Sequence, residues 1–260
     1  MTYEVFFMCG ITGFTNKTEN ADRVISEMMD KIRHRGPDAE GKYVDGDIAL
    51  GHRRLSIIDV SSSGDQPIFN EDGSLVIVFN GEIYNYREIR EKLIAAGHTF
   101  KTNTDTEVLI HGYEEFGEKL LNMLRGMFAF VIWDKNKKEL FGARDFFGIK
   151  PMYYAVMGKT FMFGSEIKSF LPHPHFKKEL NTTALENYLT FQYSPTNETF
   201  FKNVYKLMPA HYFTLKDGKL QIKRYWDVNF NADEKPALED WVKRISETFK
   251  DSVNAHKIAD

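Results

Sequence analysis

Apolar and polar residues recur along the first half of the chain with the periods of both helices and strands. Segment 21–36 carries apolar residues at helical spacing, which predicts a helix that ends at Gly36-Pro37. Segment 42–59 predicts two strands around a turn at Asp45-Gly46. Further predicted elements of this half are a buried strand running into a polar turn in 74–85, a helix in 86–98 and one or two helices in 105–124.

Predicted hairpins dominate the second half. They lie in segments 127–145, 151–166 and 211–226. Because helices cluster early and hairpins later, the pattern favours an α+β fold of antiparallel sheets covered by helices over alternating βαβ units. Segment 229–236 is a polar break, and an amphipathic helix is predicted in 237–260.

Composition narrows the classes of function. The 260 residues carry a net charge of −3, which argues against a nucleic-acid partner or an anionic membrane surface. No apolar run approaches the roughly 18 residues that span a bilayer. A single cysteine cannot form an intrachain disulfide, so the cytoplasm is the expected compartment.

That single cysteine, Cys9, directly follows a second methionine, Met8. If translation starts at Met8 and this residue is removed, Cys9 carries a thiol and a free α-amine on one carbon. The amine has a reference pKa of about 7.7–8.0, so it can accept the proton of the thiol near neutral pH. The alternative is a small buried hydrophobic residue.

Three further sites suggest acyl-transfer chemistry on an amino acid. Asn80 and Gly81 can supply a side-chain amide and a backbone N–H to an oxyanion, although Asn-Gly is also a common hairpin turn. Arg53 or Arg54 can grip a carboxylate, and Asp105 can pair with an ammonium group or merely cap the helix that follows.

No metal site is predicted. The eight histidines are scattered along the chain, and His173 and His175 are expected in a solvated loop because a proline separates them and no cysteine is near. The sequence also lacks a G-x-S-x-G elbow, H-E-x-x-H, C-x-x-C, a P-loop and G-x-G-x-x-G.

Seven segments together resemble the glutamine-hydrolysing domain of asparagine synthetases, a class II glutamine amidotransferase and N-terminal nucleophile hydrolase. In chain order they read MCGITGF, RHRGPD, RRLSIID, NGEIYNY, TDTE, RGMFAF and RDFFGIKPMYY. The resemblance covers roughly residues 9–226. It implies a four-layer αββα sandwich of two antiparallel sheets flanked by helices.

The resemblance also implies residue roles. Cys9 would attack the glutamine side-chain amide and form a thioester, with Asn80 and Gly81 as the oxyanion hole. Arg54 would hold the α-carboxylate, while Glu82 and Asp105 would surround the α-amine. The substrate-binding residues implied in this way are Arg54, Leu55, Ile57, Ile58, Asn80, Gly81, Glu82 and Asp105.

Two departures from the family bear on the domain organisation. Residues 1–8 precede the expected nucleophile and are expected to be absent from the mature protein. Residues 9–228 are expected to form the amidotransferase domain, and 229–260 a linker and the first helix of a synthetase domain. The Ser-Gly-Gly-x-Asp-Ser loop of that domain is absent, so the chain is expected to bind no cofactor, with ATP and Mg²⁺ implied only for the missing domain.

Glutamine is the expected substrate. The expected partner is an ammonia-accepting synthetase domain, either in cis or in trans. A homodimer is also possible. Two other hypotheses stay open. One is an amidotransferase that serves another acceptor. The other is a silent glutamine-binding or regulatory module in which residues 1–8 stay attached.

Overall fold

The computed structural model describes residues 8–55, 64–230 and 236–257. Its strands are β1 Gly10–Thr15, β2 Ala39–Asp45, β3 Ile48–Arg54, β4 Ile68–Phe69, β5 Leu75–Ile83, β6 Gly126–Asp134, β7 Glu139–Arg144, β8 Tyr153–Met157, β9 Thr160–Gly164, β10 Val204–Lys206, β11 His211–Lys216 and β12 Lys219–Arg224. Its helices are α1 Ala21–Asp30, α2 Tyr86–Ala95, α3 Asp105–Phe116, α4 Thr182–Phe191 and α5 Leu238–Ala255, with short 3₁₀ helices at Gly117–Met123 and Ile167–Phe170.

These strands form two antiparallel sheets. In the first sheet the order is β10-β8-β9-β1-β3-β2, and in the second it is β12-β11-β7-β6-β5-β4. Strands β1 and β3 pair antiparallel, from Gly10 opposite Arg53 to Thr15 opposite Ile48. This register fixes the residues just before β1 beside the carboxyl end of β3.

Three buried clusters define four layers. Alternate residues of β1 and β5, such as Ile11 and Val78, meet between the two sheets. The outer face of the first sheet packs on α1 through residues such as Met28, and that of the second packs on α2 and α3 through residues such as Leu93 and Leu109. The αββα sandwich and the α+β class expected from the sequence are therefore confirmed.

Two local predictions are corrected, and one helix is additional. Helix α1 ends at Asp30 rather than near Gly36, because residues 31–35 form turns in which Ile32 and Arg35 donate to Met29 and Ile32 carbonyls. Strand β5 continues through Asn80 and Gly81 to Ile83, so these two residues are not a hairpin turn. Helix α4 was not predicted.

The C-terminal amphipathic stretch forms α5 as expected, and none of its side chains is buried. Two contacts tie it to the rest of the described chain: an ion pair from Arg125 to Asp251 at 2.6 Å, and a ring contact of Tyr84 with His256 at 4.3 Å. Within the described residues, no helix combines the length and the apolar character needed to cross a bilayer.

Candidate active site

Cys9 lies directly before β1 and is held against the end of β3. Its thiol donates to the Leu55 carbonyl at 3.4 Å, and the Leu55 N–H donates to Sγ at 3.3 Å. Among the described residues, no histidine hydrogen-bonds to this thiol. The part of the chain that the structure describes therefore offers this thiol no hydrogen-bonded imidazole as a base.

The turn after α1 fixes the Cys9 backbone. Arg35 donates from Nε to the Cys9 carbonyl at 3.1 Å and from Nη1 to Glu166 at 3.2 Å. Gly36 passes so close to β3 that a Cβ there would clash with the carbonyl of Arg53. The RHRGPD motif thus brings the start of β1 and the end of β3 together.

Burial raises the pKa of the Cys9 thiol above its ordinary value. The Leu55 N–H and the charges of Lys150 and Arg54 oppose this shift, and the charge of Asp105 adds to it. The thiol is therefore mostly protonated near pH 7, and it needs a proton acceptor to become a nucleophile.

Lys150 is a buried cation near Cys9 that the sequence analysis did not single out. The loop after β7 winds around the carboxylate of Asp145, which accepts from the backbone N–H groups of Ile149 and Lys150 at 2.9 Å each. Lys150 is 3% exposed, and its Nζ lies 3.1 Å from the sulfur of Met8. Burial lowers the pKa of Lys150, while the charges of Glu82 and Cys9 oppose that shift.

The two adjacent arginines of β3 face opposite sides, as successive residues of a strand must. Arg54 lines the pocket beside Cys9 and donates from Nη1 to Asp65 at 2.6 Å. Arg53 instead donates to Asp30 at the end of α1. Of these two arginines, Arg54 is therefore the one that lines the pocket.

Asn80 and Gly81 lie next to each other in β5, close to this end of the sandwich. Asn80 is 1% exposed, and its Nδ2 has no hydrogen-bond partner among the described residues. An unpaired buried amide donor is costly, so it marks a place where a ligand oxygen would be stabilised. At Gly81 any Cβ would clash with the carbonyl of Met127 on β6, so a side chain is excluded there.

Two carboxylates lie near this pocket. Glu82 lines it, and Asp105 is buried at the first residue of α3, where its Oδ2 accepts from the Ile83 N–H at 2.9 Å. Burial raises the pKa of Asp105 to about 7, with the backbone hydrogen bond from Ile83 opposing the shift and the charge of Glu82 adding to it. Thr104, not Asp105, occupies the capping position of α3.

The pocket brings together most of the expected site within the described residues. Its described lining residues are Cys9, Arg54, Leu55, Gly64, Gln66, Phe79, Gly81, Glu82, Thr104 and Thr106. Asn80 and Asp105 are buried next to this lining rather than in it. Ile57 and Ile58 lie outside the described residues.

Gln66 is the lining residue whose role the sequence gave no means to anticipate. Its Oε1 accepts from the Phe79 N–H at 2.6 Å, and its Nε2 donates to Thr106 at 3.4 Å. It thereby ties β5 and α3 together behind the pocket. The only sequence signal is a polar residue before Pro67, which is too common to identify a site.

The two-sheet layered fold, with a cysteine directly before an inner strand of the first sheet, fits one class of protein: the glutamine amidotransferases. Residues 8–226 match the glutamine amidotransferase domain family, so the chain belongs to that family. The chain is 43% identical to asparagine synthetase [glutamine-hydrolyzing] 1 of Bacillus subtilis over an alignment of 259 residues that covers 97% of this chain and 40% of that protein. It is 36% identical to the same organism's asparagine synthetase [glutamine-hydrolyzing] 3, over 97% of this chain and 42% of that one.

A solved structure supports the fold. Glutamine phosphoribosylpyrophosphate amidotransferase of B. subtilis superposes with a TM-score of 0.63 at 22% identity, covering 86% of this chain and 50% of that chain. The present chain spans about two fifths of the length of the two asparagine synthetases.

Proposed function

We propose that the chain hydrolyses the side-chain amide of glutamine through a thioester on Cys9. The Cys9 sulfur attacks the amide carbon, the C–N bond breaks, and ammonia leaves with the proton taken from the thiol. Water then attacks the thioester, which releases glutamate and restores the thiol. The observation that carries this proposal is the pocket that Cys9 lines together with the buried cation of Arg54 and the carboxylate of Glu82.

The proton acceptor in this proposal is the α-amine of Cys9, once it is free. Among the described residues, the thiol hydrogen-bonds only with the backbone of Leu55, and burial raises the pKa of the thiol, so a base is required. An amine on the same residue is close enough to take the proton directly or through one water.

Charge complementarity sets the orientation of glutamine. Arg54 binds the α-carboxylate, Glu82 and Asp105 face the α-ammonium, and Leu55 lines the pocket. The amide oxygen then points to the N–H of Gly81 and the unpartnered Nδ2 of Asn80. These donors hold the negative charge that develops on this oxygen.

Removing the Asn80 donor tests this arrangement. Because the donor acts on developing charge, Asn80→Ala should lower kcat for ammonia release from glutamine about 10²–10³-fold and change KM little. The matched control is Asn181→Ala, which removes the cap hydrogen bond to Ala184 on α4. This control should cost about 0.5–2 kcal/mol of stability and leave kcat unchanged. An Asn80→Ala enzyme with full kcat would contradict the assignment.

The raised pKa of Asp105 predicts a pH-dependent KM. Below a pKa of about 7 the carboxyl is protonated and neutral, so it no longer attracts the substrate ammonium, whereas above pH 7 it is ionised and attractive. We expect KM to rise up to about tenfold per pH unit below 7 and to level off above it. In Asp105→Asn, KM should be high at every pH. Steady-state kinetics from pH 5.5 to 8.5 measure KM in the unmodified chain and in Asp105→Asn. If KM depends on pH in the same way in both chains, Asp105 does not bind the substrate ammonium.

We further propose that the ammonia serves an ATP-dependent synthetase domain that amidates aspartate, in cis or in trans, in the cytoplasm. The similarity to asparagine synthetases over 97% of this chain supports this acceptor. Helix α5 also supports a docked partner, because it exposes an apolar stripe formed by Leu238, Val242, Ile245, Phe249 and Val253. ATP and Mg²⁺ would bind to that domain rather than to the residues described above.

The test of this acceptor is ammonia transfer. The chain is mixed with a separately expressed asparagine synthetase domain, with aspartate, ATP, Mg²⁺ and glutamine, and asparagine is measured. In a control reaction, glutamine is replaced by free ammonia at the concentration that glutamine hydrolysis releases. The pairing is supported if more asparagine forms from glutamine than from this free ammonia. Hydrolysis of glutamine without this excess would leave the glutaminase proposal intact and reject the partner.

A further inference from the structure

A second cluster of titratable side chains lies at the outer side of the second sheet, where three segments meet. Glu71 belongs to the turn between β4 and β5, and His98 to the loop between α2 and α3. His111 and Glu114 lie on α3 itself. The four residues each offer one nitrogen or oxygen atom, and these atoms all lie within 4.8 Å of one another.

The carboxylate of Glu71 lies between the two imidazoles. Its Oε1 is 3.1 Å from Nδ1 of His98, and its Oε2 is 3.0 Å from Nδ1 of His111. The two imidazole rings face each other with centroids 5.2 Å apart. Glu114 is placed by its Oε2, which accepts from Nδ2 of Asn70 at 3.0 Å.

His111 is the unexplained member of the cluster. It is 1% exposed, yet neither ring nitrogen has a hydrogen bond of acceptable geometry among the described residues. A protonated imidazolium at this depth would need an acceptor aligned with each N–H, and a neutral imidazole would need an acceptor aligned with its N–H and a donor aligned with its other nitrogen. The proposed glutaminase chemistry does not use this residue.

A second carboxylate lies near the other ring nitrogen of each imidazole. Nε2 of His98 lies 3.5 Å from Glu115, and Nε2 of His111 lies 3.5 Å from Glu107. Glu107 is itself fixed by the N–H groups of Lys101 and Thr102 at 2.7 Å each. A histidine that binds a metal through one nitrogen typically has its other nitrogen facing a carboxylate in this way.

We propose that Glu71, His98, His111 and Glu114 form a binding site for a divalent transition-metal ion, with Zn²⁺ as the best fit. Two imidazole nitrogens and two carboxylate oxygens are a donor set that zinc accepts in tetrahedral geometry. Zinc–ligand distances of about 2.0–2.2 Å place tetrahedral ligand atoms about 3.4 Å apart, so the observed donors need only small side-chain shifts. The ion also offsets the charge of four carboxylates that meet at two imidazoles.

A metal ion bound at this site would cross-link three segments of the chain. It joins the β4–β5 turn, the α2–α3 loop and the third turn of α3, the helix that starts with Asp105 beside the pocket. A bound ion therefore stabilises the second sheet and its helical layer. The sequence analysis predicted no metal site, and this inference stands independently of the proposed glutaminase activity.

The other close pair of histidines supplies the contrast. His173 Nε2 lies 3.4 Å from the hydroxyl of Thr18, and His175 Nδ1 lies 2.8 Å from the hydroxyl of Thr160. Both rings have hydroxyl partners, and no carboxylate completes a set there among the described residues. His175 is therefore a suitable control position.

The test uses the full chain, freed of metal by a chelator and dialysed. It is titrated with Co²⁺ while the visible absorption of tetrahedral cobalt is recorded, and then with Zn²⁺ in competition. We expect one equivalent per chain, displacement of Co²⁺ by Zn²⁺, and a rise in Tm of about 5–10 °C at a hundredfold excess of Zn²⁺ over its Kd. The same titrations are run on His111→Gln, Glu114→Gln, Glu107→Gln and the control His175→Gln.

Ligand removal should weaken metal binding at least about 100-fold in His111→Gln and Glu114→Gln, and Glu107→Gln should weaken it about 10–100-fold. His175→Gln should bind as the unmodified chain does. The titration of the unmodified chain decides the question even if a variant fails to fold. Absence of tetrahedral cobalt bands and of any zinc-dependent Tm shift would overturn the proposal, as would equal affinity in the folded Glu114→Gln chain.

Discussion

Replacement of Cys9 by alanine should abolish glutamine hydrolysis while the fold persists. The proposed thioester cannot form without the sulfur, so turnover should fall at least about 10⁴-fold. Among the described residues the side chain hydrogen-bonds only with the Leu55 backbone, so stability should fall by about 0.5–1.5 kcal/mol. Ammonia release and thermal unfolding measure the two effects on one preparation.

The control for this experiment is Ser165→Ala. Ser165 accepts a hydrogen bond from the N–H of Ile11 at 3.1 Å, so its loss perturbs β1 by a similar amount without touching the thiol. That variant should keep its turnover within about twofold. An alkylating glutamine analogue gives a second readout, because Cys9 is the only cysteine and should take up a single adduct. Turnover by Cys9→Ala at the rate of the unmodified chain would end the thioester proposal.

The layers of the fold could be predicted because they depend on local periodicity. Hairpins read from alternating residues became paired strands, and amphipathic stretches became the helices that cover them. The local pattern of residues could not predict how far a strand continues. The Asn80-Gly81 pair is typical of a turn, but pairing of β5 with β6 carries both residues in extended conformation up to Ile83. Tertiary pairing overrides local turn preference there.

The same limit applies to the site. Arg53 and Arg54 are equivalent in sequence, and only the direction of β3 decides which of them faces the pocket. Lys150 is brought near Cys9 by a loop wound around Asp145, a long-range arrangement with no local signal of its own.

Histidines that are scattered in sequence need not be scattered in space. His98 and His111 are thirteen positions apart on different elements, yet their rings face each other because α2 and α3 pack side by side on the second sheet. The expectation of no metal site rested on sequence spacing alone. Spacing is informative for ligands on one loop or one helix, but it says little about ligands that three segments contribute.

Freeing the amine of Cys9 should switch the enzyme on. In the structure the Cys9 nitrogen is part of the peptide bond to Met8, whose sulfur lies 3.1 Å from Nζ of Lys150. An amide nitrogen is neither basic nor charged, so it cannot take the proton of the thiol. A chain whose first residue is Cys9 should therefore turn over glutamine about 10²–10⁴-fold faster than one that retains residues 1–8. Intact-mass measurement establishes the terminus of each preparation.

The matched control keeps every side chain and changes only the amine. A Cys9-first chain acetylated on its α-nitrogen should be as slow as the chain that retains Met8, because both lack the base. In the unblocked chain, kcat/KM should rise with pH as the amine loses its proton near its reference pKa of about 8, and the cation of Lys150 should move that midpoint lower. The acetylated chain should lack this rise. If the Cys9-first chain, its acetylated form and the chain that retains residues 1–8 hydrolyse glutamine equally fast, the α-amine is not the base. If none of them hydrolyses glutamine, the hypothesis of a silent glutamine-binding module is favoured.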